Sequence, residues 1–580
     1  MKLATIKHLN LILQIAIWLL IFSVKSAFLQ IASQGEIPVA HAYFDSLSSA
    51  DEAIFQRKFE FPFLALLDNN TKTSYLKLSS IDQRKSFIRG YWLQQQPNPL
   101  SPRHDLLEAF LTRWNYVQRH FSSVRTPFFD DRGQIYLKYG EPSLRYQDSG
   151  GRRSINLFKD RQVYRYISQL YGGFPPASEY FVYPNESWVY RDLGLEFVIH
   201  FVKQGDDFRQ VSDLSQAIES GIAKNMAWYW GDLVQSRAHL TPSFSRAANL
   251  ALEIQQDLLN QSVMRSSNTI QKDRRLPHER LLEQKKIQEI ETTRYVSTAP
   301  SFFVPIHSDL NKIHFSTDVA QFRGDHDSTR IEIHFRMPFR GNITKNSFSE
   351  LLTIEYQTLI RDQMFAPVRH VQDSTCYSAS LIQEIPNAIG LIQFSALPIV
   401  GDITLQLRMS GTEQVGFIKQ PIVVRDFSAP KVMISDIQFY FSPQKIDKLP
   451  QSIVRTIQDV RLIPYPFEQV QKKRPVFCYF EVYNLKSAAI SNQFKLKLEI
   501  AKDKVSQGAL KRALRWLTRA KDGFISLDQT RTPVQDRELE LIELDLGKLK
   551  AGDYLMSVTV SWNDDPQNHA SVQKRFGIVE

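Results

Sequence analysis

The sequence predicts a multidomain chain of α+β and all-β parts: an N-terminal helical/α+β domain, a further helical segment and two C-terminal β-sandwiches. Three observations carry this. The 580 residues exceed what a single core spans, since domains run to roughly 150 residues each. Apolar residues recur at helical spacing on both sides of a short strand-like stretch at 132–203. Beyond about residue 303 the apolar period becomes two, the period of a strand with one buried face.

Composition supplies the material for cores: 43% of residues are hydrophobic and 12% aromatic, including 38 Phe and 22 Tyr. Such content excludes a disordered chain. The formal charge of +10 over 580 residues is a mild excess, favouring contact with anionic surfaces such as lipid headgroups or acidic glycans. It does not mark a nucleic-acid binder, because no dense Lys/Arg stripe interleaved with aromatics occurs.

At the N-terminus, Lys2 and Lys7 flank the start of an apolar run over residues 9–24. Val24, Lys25 and Ser26 then place small residues where a signal peptidase reads, for cleavage after Ser26. The run is shorter than the roughly 20 apolar residues of a comfortable membrane span, and Asn10 and Gln14 weaken it. Residues 1–26 are therefore read as a signal peptide or a membrane anchor. Both readings export the chain to the periplasm or cell envelope, with membrane contact only through residues 9–24 if they are uncleaved. The two cysteines, Cys376 and Cys478, fall in different domains, so no disulfide between them is expected, and no CxxC metal or redox site is present.

Residues 43–125 read as helical. Ser79, Ser80 and Asp82 stand at a helix start ahead of Phe87, Ile88, Tyr91 and Trp92. After Pro97, Pro99 and Pro102, a helix over 103–121 puts Leu106, Phe110, Trp114, Val117 and Phe121 on one face. Residues 134–139 read as a strand closed by Gly140, Glu141 and Pro142, followed by strands at 179–183, 187–190 and 195–202. A small antiparallel sheet packed on the helices completes a domain at 43–210. Residues 211–300 form the helical segment. Phe244, Ala247, Ala251, Ile254 and Leu258 make an apolar stripe, and Pro277 stands at a first helical position. The basic stretch from Lys272 to Arg294 is balanced by Asp273, Glu279, Glu283, Glu289 and Glu291, which makes it a solvated helix face.

Alternation then recurs at Ile331, Ile333, Phe335 and Met337, at Ile403, Leu405, Leu407 and Met409, at Phe494, Leu496, Leu498 and Ile500, and at Tyr554, Met556, Val558, Val560 and Trp562. A weak repeat, Gly401-Asp402 and Gly552-Asp553 each just before an alternating strand, argues for two modules, 303–427 and 430–580. Tyr554 resembles the corner tyrosine of immunoglobulin-like sandwiches, whose hydroxyl ties back to nearby backbone.

The helix-to-sheet junction carries a second resemblance. Tyr91-Trp92 and Pro97-Asn98-Pro99, then Asp131-Arg132-Gly133, Tyr136 and Gly140-Glu141-Pro142, then Glu186, Trp188 and Tyr190, resemble the GWxTD domain of bacterial proteins. The signature is altered: Pro127-Phe128-Phe129-Asp130 stands where that family has Gly-Trp-x-Thr, so Phe128 replaces the aromatic of its name. Membership implies a GWxTD-like α+β domain over 43–210 and export, and the family has no settled biochemical function.

Chemistry in the sequence is sparse. Thirteen His are scattered without HExxH spacing, and no GxSxG, Walker A or GxGxxG motif occurs. No metal site or cofactor is expected, calcium at the loop acids Asp325, Asp327 and Asp402 being a lesser reading than solvated turns. The candidate catalytic carboxylates are Asp131, Glu141 and Glu186. The structural alternative makes Asp131 a cap or turn acceptor with Arg132 as its ion-pair partner, and Gly133 a special backbone shape. Trp228-Tyr229-Trp230 is read as a sheet or interface element open to sugar stacking. The function expected is a structural or protein-interaction module of the envelope with an envelope protein partner, and with an anionic surface or glycan as further contacts. The alternatives are a carboxylate-based hydrolase of envelope polymers and a glycan-binding protein.

Overall fold

The computed structural model describes residues 39–170, 178–219, 223–263, 276–304, 312–339, 351–378, 381–382, 386–412, 414–442, 449–472, 474–487, 492–503, 524–562 and 569–580. The apolar run at 9–24, the cleavage position after Ser26 and the start of the basic stretch at Lys272 lie outside these residues. The chain divides into two units, Met1–Gln96 with Arg103–His307, and Pro97–Pro102 with Ser308–Glu580.

The first unit begins with α1 (Val39–Ser49), α2 (Glu52–Phe55), a π-turn at Gln56–Glu60 and α3 (Phe61–Leu64). α4 (Asn69–Leu76), α5 (Ile81–Gln95) and α6 (Asp105–His120) follow. Each later start has a side-chain acceptor for its free amides. Asp68 takes Asn70 N and Thr71 N, Ser80 and Gln83 close a reciprocal capping box, and His104 takes Leu107 N. The predicted stripe of α6 is buried at Phe110, Trp114 and Val117.

Residues 134–139 are a correction: they belong to a helix, α7 (Asp131–Tyr139), and not to a strand. Ile135, Tyr136, Leu137 and Tyr139 are all buried, and a short run buried on several sides has no period that separates helix from strand. The ends decide it. Asp130 accepts from Arg132 N and Gly133 N, and Gly140 ends the helix at φ +78°.

An antiparallel sheet runs in the order β1 (Leu144–Asp148), β4 (Asn185–Val189), β5 (Val198–Gln204), β6 (Asp207–Val211), beside a ribbon of β2 (Gly151–Ser154) and β3 (Glu179–Val182). The predicted strands after residue 179 appear here, whereas β1, β2 and β6 were not anticipated. Alternation along β4 and β5 feeds two cores. Trp188, Ile199 and Phe201 pack with the helices up to α7, and Val189, Val198 and Val202 pack on the other side. The second core is closed by α8 (Arg161–Leu170), α9 (Ala223–Gln235), α10 (Pro242–Val263) and α11 (Pro277–Thr298). The stripe from Phe244 to Leu258 is buried there, and Pro277 is the first residue of α11. Trp228, Tyr229 and Trp230 lie on α9, all buried, which overturns their reading as a sheet element and leaves none of the three rings open for sugar stacking.

The described residues of the second unit form mainly antiparallel β-structure. One sheet has the order β10 (Pro367–Ser378), β9 (Leu351–Asp362), β12 (Ile399–Met409), β13 (Val415–Val424). It faces a sheet of β11 (Asn387–Ala396), β8 (Thr329–Pro338) and β7 (Ser316–Arg323) across a shared core of Ile333, Phe335, Tyr356 and Leu405. A third sheet runs β14 (Met433–Ile434), β19 (Val476–Tyr483), β15 (Gln438–Phe441), β17 (Val460–Pro464), β16 (Arg455–Ile457), with β22 (Arg537–Leu544) on the other side of β19. A fourth runs β18 (Gln469–Gln471), β24 (His569–Val579), β23 (Gly552–Trp562), β20 (Phe494–Lys502), β21 (Phe524–Arg531), with β18 parallel to β24. The last two share a core that includes Phe480, Leu498, Val558 and Phe576. The alternating segments predicted near 331, 403, 494 and 554 are β8, β12, β20 and β23.

One strand departs from the one-sided pattern. β8 turns Ile331, Ile333, Phe335 and Met337 into its own core, yet Glu332 and His334 on the opposite face are also fully buried. A small apolar seam of Ala320, Phe322, Tyr440, Leu462 and Tyr479 joins the second face of the β7–β8 sheet to β15, β17 and β19. Alternation of polar and apolar residues signals two different environments, and here both exclude water.

Candidate functional site

The Asp131-Arg132-Gly133 and Gly140-Glu141-Pro142 parts of the GWxTD-like signature stand at the start and the end of α7. Asp130 caps the helix through Oδ1, at 3.0 Å from Arg132 N and 3.2 Å from Gly133 N. Its Oδ2 accepts from Arg132 Nη2 at 2.7 Å and Nε at 3.0 Å. The same guanidinium donates through Nη1 to Glu186 Oε1 at 2.7 Å. Glu186 Oε2 accepts from Arg145 Nε at 2.9 Å and from Trp188 Nε1 at 2.8 Å. Phe208 lies 3.7 Å from the Arg132 guanidinium carbon and Phe121 lies 5.1 Å from it. Such stacking suits the weakly hydrated planar cation.

The glycines of this cluster are there for room and for backbone shape. A Cβ on Gly133 would sit 2.9 Å from Val117 Cγ1 and 3.0 Å from Phe129 Cβ, so Gly133 sets the approach of α6 to α7. It is helical, which corrects the expectation of a backbone shape closed to other residues. Gly140 does have that shape, at φ +78°, and its Cβ would meet Arg113 Nε at 2.9 Å. Arg113 in turn donates to the Leu137 and Lys138 carbonyls at the C-terminal end of α7, and burial pulls its pKa down to about 10. Tyr190 donates from its hydroxyl to Gly140 O at 3.0 Å.

The sequence candidates separate on this map. Glu186 joins the cluster. Asp131 points elsewhere, accepting from Gln210 N at 2.8 Å and Arg209 Nη1 at 3.3 Å, so the cap and the Arg132 ion pair belong to Asp130 and not to Asp131. Glu141 is exposed beside Tyr136. Tyr136 stacks on Tyr116, with centroids 4.4 Å apart. Trp188 is fully buried against Phe121 and Phe201, and Pro142 is buried too. Tyr91 is half-buried, Trp92 fully so, and Phe128 sits in the turn before α7 at φ 72°, under Arg57. Pro97 and Pro99 follow the end of α5, Pro97 exposed. The three candidate acids therefore do not converge. None of them lines the open cleft of about 640 Å³ formed by Tyr91, Gln95, Leu106, Asp192, Phe302 and Phe303.

Sequence reading missed a serine–histidine pair. Ser187 Oγ lies 2.9 Å from His200 Nδ1, the distance of a nucleophile and its base. Ser187 is fully buried and His200 is 2% exposed. Burial and the nearby Arg237 push the His200 pKa down to about 3. Arg237 Nε donates to Ser187 Oγ at 3.0 Å, and its other nitrogens reach Asn185, Leu233 O and Ser236. A base beside a guanidinium, enclosed on every side, holds the second core together and has no access to substrate.

A larger network lies inside the second unit. Glu481 is fully buried and accepts four hydrogen bonds. Arg330 Nη2 (2.7 Å) and the Tyr479 hydroxyl (2.6 Å) reach Oε1, while Arg537 Nε (2.8 Å) and the Tyr483 hydroxyl (2.7 Å) reach Oε2. Burial opposes its charge, but Arg537, Arg330 and the two tyrosines outweigh that and hold its carboxyl below the usual range. Glu332 pairs with Arg330 Nε at 3.0 Å and Arg455 Nη1 at 2.8 Å. Gln438 Nε2 lies 3.1 Å from His334 Nε2, and burial drives the His334 pKa well below its ordinary value. Only a whole fold brings residues 330–334, 438–455, 479–483 and 537 together.

The loop acids considered for calcium are also placed. Asp402 is held by Arg361 through Nε at 3.0 Å and Nη2 at 2.7 Å, and Asp325 and Asp327 are exposed on the β7–β8 turn. Among the described residues no three His, Cys, Asp or Glu side chains converge on a metal position, and no helix is long and apolar enough to cross a membrane. Cys376 is exposed and Cys478 buried, and both are free thiols.

No family model and no curated protein matches the chain. Among solved structures, a putative β-galactosidase from Bacteroides fragilis aligns at 15% identity and a TM-score of 0.15, over 21% of this chain and 19% of that one. A red sea bream transglutaminase aligns at 8% and 0.14, over 51% and 34%. Trypsin-activated α2-macroglobulin from Escherichia coli aligns at 10% and 0.14, over 48% and 18%. The chain thus spans about a third or less of each of these structures, and likenesses this slight carry no argument about what it does.

Proposed function

We propose that the chain is an exported protein of the cell envelope or periplasm that works by binding other proteins and not by catalysis. One observation supports this most. Glu186, the best placed of the candidate acids, has both oxygens committed to Arg132, Arg145 and Trp188. A carboxylate with two guanidinium groups and an indole on its two oxygens is built into an ion-pair network that positions α7 against β4. The motif that carries the family resemblance thus reads as a folding device. It caps α7 at both ends and pins it to β4. On this reading residues 43–210 are a GWxTD-like domain with an altered signature, followed by the helical segment at 211–300. Residues 303–427 and 430–580 are immunoglobulin-like modules, for which the Tyr554 hydroxyl bonded to Lys550 O at 2.8 Å speaks. Residues 1–26 direct the export.

The test is an incubation of the purified protein with peptidoglycan, lipopolysaccharide and capsular glycans, read by product analysis. The proposal expects no turnover. Turnover that Glu186→Gln or Asp131→Asn abolishes would replace it with the carboxylate hydrolase. The glycan-binding alternative loses its first platform, since Trp228 and Trp230 are buried.

A further inference from the structure

We infer that β22 is a self-association edge, on which a second copy of this chain adds its own β22 antiparallel. Four observations lead there. First, β22 pairs along its whole length with β19 on one side, and no strand is paired to its other side among the described residues. Second, two other strands of this unit carry edge defences. β10 turns Arg369 and Asp373 to its core-facing side, where both stay exposed, and β18 covers residues 577–579 at the end of β24. Inward-pointing charge and a covering strand are the usual defences of an edge. Third, the inward charge of β22 is neutralised in place: Glu540 is 7% exposed and accepts from Arg531 Nη1 of β21 at 2.7 Å.

The fourth observation is the sequence of the edge itself. Arg537, Leu539, Leu541 and Glu543 alternate on the face away from the β23 core. In an antiparallel register centred on Glu540, Arg537 of one copy stands opposite Glu543 of the other, and Leu539 stands opposite Leu541. The two-fold axis repeats both pairs. The outward cross-strand pairs are then opposite in charge or apolar, the combinations that stabilise neighbouring strands, while on the inward face Glu540 stands opposite its own copy, each carboxylate held by its Arg531. Leu539 is 43% exposed in the single chain, Glu543 is exposed, and the Arg537 side chain is 44% exposed. Slipping the register by two residues in either direction would leave one of the charged ends unpaired. Gln458 Nε2, which donates to the Leu539 carbonyl at 2.8 Å, would yield that carbonyl to the incoming strand. The inference does not depend on the envelope reading, because it invokes no other protein.

Sedimentation of the purified full-length chain over a dilution series tests it. The expected result is a monomer–dimer equilibrium. Leu539→Pro, which removes an edge amide and places a ring against the partner strand, should leave a monomer at every concentration. Glu543→Arg should weaken the dimer roughly tenfold, since two symmetry-related pairs exchange attraction for repulsion. Both variants should keep the wild-type thermal transition. If Leu539→Pro melts early, Glu543→Arg alone decides. A wild-type chain that is monomeric throughout overturns the proposal, even if the edge then captures a different protein. So does a dimer that Glu543→Arg leaves unchanged.

Discussion

Glu481→Gln is the substitution for which the second unit makes its sharpest prediction. The side chain is the same size, so no cavity forms and the effect is electrostatic. Each carboxylate oxygen of Glu481 takes one arginine and one tyrosine. Whichever way the amide is turned, its NH₂ faces a guanidinium N–H. A tyrosine hydroxyl can rotate to accept, but an arginine cannot. Breaking a buried ion pair costs about 3–5 kcal/mol. The Arg330 and Arg537 side chains are 19% and 44% exposed, so water softens the loss and about 3 kcal/mol is the working figure. In hydrogen exchange this appears as roughly hundredfold faster exchange of the slowest amides of β8 and β19. The pH dependence has a definite sign. The folded pKa of Glu481 lies below its ordinary 4.5. Its stabilisation is therefore fully present above that value and is lost as pH falls through the lowered one. The wild type should lose stability there, and the Gln variant should not share that part of the slope. Exchange within threefold of wild type, or an unchanged acid slope, would refute the view that this carboxylate holds the two sheets together.

Three further outcomes follow from the same geometry. Gly140→Ala should destabilise the first unit by about 1–3 kcal/mol, because φ +78° is disfavoured and the new methyl would meet Arg113; chemical denaturation measures it. Tyr554→Phe should cost about 1 kcal/mol, the worth of the hydrogen bond to Lys550 O, with the fold kept. His200, whose folded pKa of about 3 lies below its ordinary 6.5, makes the unfolded state take up the proton first. Stability of the first unit should therefore fall by up to about 1.4 kcal/mol per pH unit below 6.5, a slope that His200→Gln flattens. Tryptophan fluorescence follows it through Trp92, Trp114, Trp188, Trp228 and Trp230.

The residues differ in how openly they announce their roles. Ser79, Ser80 and Asp82, and Pro277, marked helix starts that the structure contains, because caps are local chemistry. The alternating segments marked β8, β12, β20 and β23 for the same reason. The stretch 134–139 misled, since its apolar residues are buried on several sides and the deciding signals, Asp130 and Gly140, lie just outside it. Trp228-Tyr229-Trp230 read as a sheet or interface element, whereas they lie on a helix buried nearly all round, which shows no one-sided period. At the candidate site, Arg132 and Glu186 could be singled out from the sequence, but their union could not. They are 54 positions apart, and no local pattern says which arginine finds which carboxylate. The same holds for Ser187 with His200, and more strongly for Glu481, whose partners come from Arg330, Tyr479, Tyr483 and Arg537. The Gly-Asp repeat shows the limit from the other side. Gly401 is needed because a Cβ would strike Arg361 O, whereas Gly552 is needed for φ +146°. Two like dipeptides thus serve unlike ends.

The claim that this is an exported binding protein is tested most directly by cross-linking in cells that make a C-terminally tagged chain, followed by fractionation, pull-down and mass spectrometry. The account predicts recovery from the envelope fraction with a stoichiometric envelope protein cross-linked to it. Recovery from the cytosol with cytosolic partners would contradict it, as would an exported chain that cross-links to no other protein.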